Sequence, residues 1–154
     1  MDAHRVLVRA RCATLAALGL TLALGMFGPT GGEAVATGFE VSLSTDKAVY
    51  RSGEPIAVTL SVSNHTGAEI RLEFGSAQRF DFAIRDAKGG QAWRWSADQM
   101  FGQMLGTEVL GPARPQIIYR AEFIGKLTPG LYRVEGTLVA TDRPGSAALV
   151  IQVQ

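Results

Sequence analysis

The sequence predicts an all-β fold: an immunoglobulin-like antiparallel β-sandwich with one short helical segment near 97–105. Three observations lead there. Apolar side chains recur at every second position over most of the chain, Gly- and Pro-rich turn signals separate these runs, and no long stretch repeats apolar residues at helical spacing. With 154 residues, 47% apolar and 19% charged, the composition is that of one globular domain.

The N-terminus differs in character from the rest. Arg5, Arg9 and Arg11 precede a charge-free run from Cys12 to Phe27. A basic stretch followed by a short apolar one is the pattern of an export signal, and it is short for a membrane span. Ala34-Val35-Ala36 offers the small-x-small pattern of a cleavage site, so the expected cut falls between Ala36 and Thr37. The expected organisation is a signal peptide at 1–36 and a sandwich domain at 37–154, with the product secreted or held in the periplasm or cell envelope. Contact with a membrane is expected only if the signal stays uncleaved. The 118 residues of 37–154 carry equal numbers of acidic and basic side chains, which excludes the basic excess that nucleic-acid binding requires. Cys12, the only cysteine, belongs to the leader, so the domain must hold together by packing without a disulfide.

Alternation then marks the strands in order: Phe39/Val41/Leu43, Ile56/Val58/Leu60/Val62, Ile70/Leu72/Phe74, Phe80/Phe82/Ile84, Trp93/Trp95, Ile117/Tyr119/Ala121/Phe123, Tyr132/Val134/Gly136/Leu138 and Leu149/Ile151/Val153. Turn signals stand at 51–55, 64–67, 88–90, 111–115, 128–130 and 142–145. Residues 96–106 break the period. Ser96 with Gln99 makes a capping box, and Met100, Phe101, Met104 and Leu105 fall on one side of a helical turn or two ending at Gly106. That segment is predicted to lid one end of the sandwich.

Trp93 and Trp95 share a face of their strand, and Arg94 takes the other. If Lys88-Gly89 forms a two-residue turn, Ile84 opposes Trp93 and Phe82 opposes Trp95; a turn at Gly89-Gly90 shifts the pairing by two. A three-residue loop without a compensating bulge would put the indoles on the wrong face. Both tryptophans are therefore assigned to the core with Phe80 and Phe82, and Asp81–Arg94 to a surface ion pair of about 0.2–1 kcal/mol. Tyr132, opening a strand after Thr128-Pro129-Gly130, suits a tyrosine corner.

Four stretches carry a family resemblance: "VSN" at 62–64, "FGSAQRFDF" at 74–82, "WRWSADQMF" at 93–101 and "LTPGLYRVEGTL" at 127–138. In order and spacing they resemble the bacterial intracellular proteinase inhibitor domain of the BsuPI type, over about residues 56–140. The fold signature is Phe80, Phe82, Trp93, Trp95, Phe101 and Tyr132. Ala77 stands where the family pattern has Gly. The resemblance implies a β-sandwich and a protein partner, a serine proteinase, bound without chemistry of the domain's own. The family's namesake acts inside the cell, whereas the leader here predicts export. The resemblance supplies no inhibitory residues to carry over.

The residues themselves give catalysis little support. His65, the one histidine after the leader, falls in a turn with no nucleophile signalled beside it. Asp81 and Asp86 have unlike parity on one strand, no metal-ligand spacing occurs, and no cofactor is implied. Binding is then expected from loops on a rigid scaffold. If strands simply alternate in direction, one end gathers 46–55, 75–78, 97–106 and 125–130, and the other gathers 64–69, 87–90, 111–115 and 142–146. The first end sets Ser76 and Gln78 beside Gln99 and Gln103 as a candidate partner-binding rim. Arg114, between Pro112 and Pro115, is a second candidate, as bait for a basic-specific pocket. The alternative function is an immunoglobulin-like accessory or adhesion domain of the cell envelope with no inhibitory activity.

Overall fold

A computed structural model describes residues 38–154; the leader, Cys12 and the Ala36–Thr37 junction lie outside the described residues. Ten strands and one 3-10 turn follow in chain order: β1 (Phe39–Thr45), β2 (Val49–Tyr50), β3 (Ile56–Asn64), β4 (Ile70–Phe74), β5 (Phe80–Asp86), β6 (Gln91–Arg94), the turn Trp95–Asp98, β7 (Gly106–Leu110), β8 (Gln116–Phe123), β9 (Gly130–Leu138) and β10 (Gly145–Val153). A three-stranded sheet, β1-β3-β8, faces a five-stranded one, β2-β10-β9-β5-β6, and β4-β7 forms a separate ribbon. This is the immunoglobulin-like sandwich that the alternation predicts. The chain changes sheets at Asp46. Its carboxylate accepts the Tyr50 hydroxyl at 2.6 Å and the Ala57 amide at 3.1 Å. After that bend β2 pairs parallel with the end of β10.

The inward residues are those of the period-two pattern. β3 buries Ile56, Val58, Leu60 and Val62, and β9 buries Tyr132, Val134 and Leu138. At Gly136 the two sheets come so close that a Cβ would lie 2.6 Å from Leu43 Cδ1 and 2.9 Å from Leu60 Cδ1. A side chain there would require the ends of Leu43 and Leu60 to move aside. The Tyr132 hydroxyl donates to the Thr128 carbonyl at 2.9 Å, tying β9 to the turn before it.

Two strands were not visible as alternation. β2 is too short to show a period, and β7 buries only Leu110 fully among Thr107, Glu108 and Val109. β7 matters because, with β4, it caps one end of the sandwich. Ile70, Leu72, Phe74 and Leu110 pack against Val62 and Ile117 of one sheet and Leu138 of the other. β3 therefore finishes at the end where β5 begins, since β4 crosses between the sheets instead of running back along them. The expected grouping of loops changes accordingly. The 87–90 turn joins 46–55 and 125–130, because Asp86 pairs with Tyr132 near the start of β9. Segment 75–78 lies at the opposite end, where Val139 N donates to Arg79 O at 3.1 Å.

The β5–β6 hairpin keeps its predicted face by another route. Its loop has three residues, Ala87-Lys88-Gly89, with Gly89 at φ +84°. Arg85 pairs with Gln91 and Ile84 with Trp93, so Ala92 is an extra, bulged residue. The bulge restores the parity that an odd loop would have inverted. Strand pairing stops at Arg94, so Trp95 does not oppose Phe82; it opens the 3-10 turn and stacks on Phe80 at 4.3 Å between ring centroids. β6 and β8 are edge strands on the same side of the sandwich. Between them Trp93 meets Phe123 at 5.5 Å and Phe80 meets Tyr119 at 4.8 Å. Both indoles are half-buried in this seam, where the sheets would otherwise part, and not enclosed at the centre.

Trp95→Ala removes a ring from that seam and should cost about 2–4 kcal/mol, toward the low side of the range for enclosed aromatics because the ring keeps some contact with water. Equilibrium urea unfolding checks this; a loss under about 0.5 kcal/mol, the range of an ordinary surface substitution, contradicts the seam.

Candidate functional site

The rim predicted from the sequence divides into parts that the structure joins and parts that it separates. Segments 75–79 and 95–105 leave adjoining strand ends, since Phe74 pairs with Gly106 in the β4–β7 ribbon. The Ala77 amide donates to the Gly102 carbonyl at 2.9 Å, linking the two segments midway. Ser76 Oγ accepts the Gln78 amide at 3.2 Å, and Gln78 Nε2 donates to the Phe80 carbonyl at 3.1 Å. These two half-buried side chains shape the turn from within. Gln99 and Gln103 are exposed along the facing loop.

Arg79, which the sequence reading passed over, braces the rim from below. Its guanidinium lies 4.5 Å from the centre of the Phe74 ring, donates to Ser76 O at 2.6 Å and pairs with Glu108 at 3.3 Å. Glu108 also accepts the Tyr119 hydroxyl at 3.0 Å. Burial and then the Glu108 carboxylate hold the Tyr119 phenol above its usual range, so it stays a donor. The signal was hard to find because Glu108 sits in a strand without alternation.

The helical expectation for 97–105 gives way to a single 3-10 turn at Trp95–Asp98, after which 99–105 runs without regular structure. Ser96 does not cap a helix. Its hydroxyl donates to Asp81 Oδ2 at 2.8 Å and its amide to Asp81 Oδ1 at 3.1 Å. Arg94 Nε reaches the same carboxylate at 2.7 Å. Asp81 is buried, 6% exposed, and so is a structural hub instead of half of a surface ion pair. It binds the Phe-Asp-Phe stretch to the Arg-Trp-Ser stretch, two of the motifs quoted above. The lid also differs from expectation: Phe101 lies 5.8 Å from Trp95, but Met100, Met104 and Leu105 stand in solvent at 102%, 70% and 83% exposure.

Arg114 is not part of this rim. It closes a tight turn in which Gly111 N donates to Arg114 O at 3.1 Å and Arg114 N to Gly111 O at 3.0 Å. The turn sits at the far end of the ribbon, beyond the Ile70–Leu110 pair, which is itself about 14 Å from the Phe74–Gly106 pair at 3.4 Å per residue. His65 is exposed beside Glu40, at 3.3 Å. Asn64 is buried and satisfied: its amide nitrogen donates to Ala68 O at 2.6 Å and Leu110 O at 2.9 Å.

A second, shallow depression lies on the outer face of the five-stranded sheet, lined by Asp81, Ala83, Arg85, Arg94, Glu135 and Thr137. Its charged groups are engaged with one another. Arg94 holds Asp81, while Glu135 accepts Arg133 Nε at 2.8 Å and Arg85 Nε at 3.1 Å. The hydrogen bond from Arg133 holds Glu135 below the usual carboxylate value, against the opposing effect of partial burial and with help from Arg85.

A sandwich whose motifs stitch a hairpin, a turn and a corner, and whose loops gather above a capping ribbon, defines a loop-presenting binding domain. The family model described as BsuPI, intracellular proteinase inhibitor, matches residues 43–143. The chain belongs to this intracellular proteinase inhibitor family. That membership overturns the secreted or periplasmic, cell-envelope location expected from the leader, because the family is described as intracellular. The run at 12–27 misled because basic-then-apolar composition reports hydropathy alone and does not by itself specify an address.

No curated protein matches the chain. Among solved structures, the CARDB domain of a Pyrococcus furiosus protein, solved with di-metal ions, is 15% identical with a TM-score of 0.45, covering 75% of this chain and 87% of that one. The sporulation control protein Spo0M from Bacillus subtilis is 17% identical with a TM-score of 0.49, covering 76% and 49%. The C-terminal domain of wzt is 8% identical with a TM-score of 0.48, covering 76% and 74%.

Asp81→Ala leaves Arg94 and Ser96 without their shared acceptor and should cost about 3 kcal/mol, measured by chemical denaturation; a change below 1 kcal/mol would show that the hub is dispensable. Glu135 contributes stability with a defined pH dependence. Its folded value is depressed, so the contribution is present above the ordinary value of 4.5 and lost as pH falls through the folded value below it. Glu135→Gln should flatten the fall in urea midpoint over that acidic window and leave the neutral-pH slope unchanged.

Proposed function

We propose that this chain restrains a serine proteinase by binding it, with no chemistry of its own, through the rim where 75–78 meets 99–105. The observation that carries the reading is the hydrogen bond from Ala77 N to Gly102 O, which makes one continuous surface of two loops far apart in sequence. Family membership supplies the kind of partner. In this reading Ser76 and Gln78 set the shape of the turn, while the exposed Gln99 and Gln103 amides offer hydrogen bonds to the partner's backbone. The bracing by Arg79, Asp81 and the Trp95–Phe101 contact reduces the ordering cost of association, which is what a binding loop needs in place of a disulfide.

The test is the residual activity of a panel of serine proteinases titrated with the full chain. Inhibition at micromolar concentration or better is expected, and Gln99→Ala with Gln103→Ala should weaken it about tenfold through lost hydrogen bonds. Arg114→Ala should leave it unchanged. Absence of inhibition by a folded, intact protein rejects the reading.

A further inference from the structure

Resting on that reading, we propose that Met100 and Met104 are the side chains that enter the proteinase, and that the target has a primary pocket for large, unbranched apolar residues. Serine proteinases select partners largely by one side chain inserted in such a pocket, whose lining is acidic, apolar or small according to the enzyme. The loop 99–105 offers what an apolar pocket takes. Met100 stands wholly in solvent and Met104 and Leu105 largely so, although a folded chain gains by covering such groups. The whole segment 95–105 contains no Lys or Arg, and its one charge is Asp98. A basic-specific pocket finds nothing here to bind.

The backbone suits presentation. Gln99, immediately before Met100, is extended at φ −109°, ψ 145°, and its amide is tied to Ser96 O at 3.2 Å. Phe101 turns the other way, against Trp95, and Gly102 is held by Ala77. Met100 is thus thrust outward between two anchored neighbours. Met104 and Leu105 follow between the Gly102 anchor and the start of β7. The thioether chains are unbranched and adaptable, so they can fill a pocket without a fixed rotamer of their own.

Inhibition constants of the full chain would be measured against two serine proteinases, one cleaving after large apolar residues and one after Lys or Arg, each with a small chromogenic substrate. The proposal expects inhibition of the first. The double variant Met100→Gln, Met104→Gln should raise that constant at least tenfold, and Met100→Leu, Met104→Leu should stay within about threefold of the parent, because an apolar side chain of like volume is kept. Near-ultraviolet circular dichroism checks that folding is unaffected, as expected for side chains in solvent. If the apolar-pocket enzyme is inhibited but the Gln variant binds as well as the parent, the anchor assignment fails while the inhibitor reading stands. If only the basic-specific enzyme is inhibited, the pocket assignment fails and the reading again survives. If neither enzyme is inhibited, both fall.

Discussion

The buried carboxylate of Asp81 holds the start of the 95–105 segment in place. A carboxylate taken out of water is stable only when donors surround it. Here they come from Arg94 and from both the amide and the hydroxyl of Ser96. Those contacts stop β6 after four residues and turn the chain through Trp95, which lays the indole on Phe80. Trp95 in turn receives Phe101, so one carboxylate decides where the exposed loop departs and how it is braced. Electrostatics sets the path and aromatic packing stiffens it.

The second constraint is the ribbon of β4 and β7. A two-layer sandwich has open ends, and apolar residues there must be covered by something. β4 and β7 cover one end with Ile70, Leu72, Phe74 and Leu110. Because both strands hand on to neighbouring loops, covering the core and assembling the rim are the same act. Arg79 and Glu108 then fill the polar layer just above the apolar one, with Tyr119 as their link to the edge strand β8.

How far the sequence disclosed this depended on the length scale of the signal. Eight strands were legible because their inward residues keep a period of two, from Phe39 in β1 to Val153 in β10. β2 and β7 were not, since two residues show no period and Thr107, Glu108 and Val109 show no alternation. The face of Trp93 was read correctly although the turn was not: a three-residue loop and a bulge at Ala92 together restore the parity of a two-residue turn. The helix at 97–105 was misjudged because the capping pattern of Ser96 and Gln99 is local, while the Ser96 hydroxyl is claimed by Asp81, fifteen residues earlier. The neighbourhood of Ser76, Gln78, Gln99 and Gln103 was foreseen, but not the end of the sandwich at which it lies, because the crossing of β4 leaves no mark in composition.

The absence of a side chain at Gly136 has a wider consequence. Leu43, Leu60 and Phe82 already occupy the space where a methyl group would stand, so at that level β9 offers bare backbone and the leucine side chains of the facing sheet fill the gap. A larger residue at 136 would have to push Leu43 and Leu60 aside, so this position marks the closest approach that β9 makes to the facing strands β1 and β3.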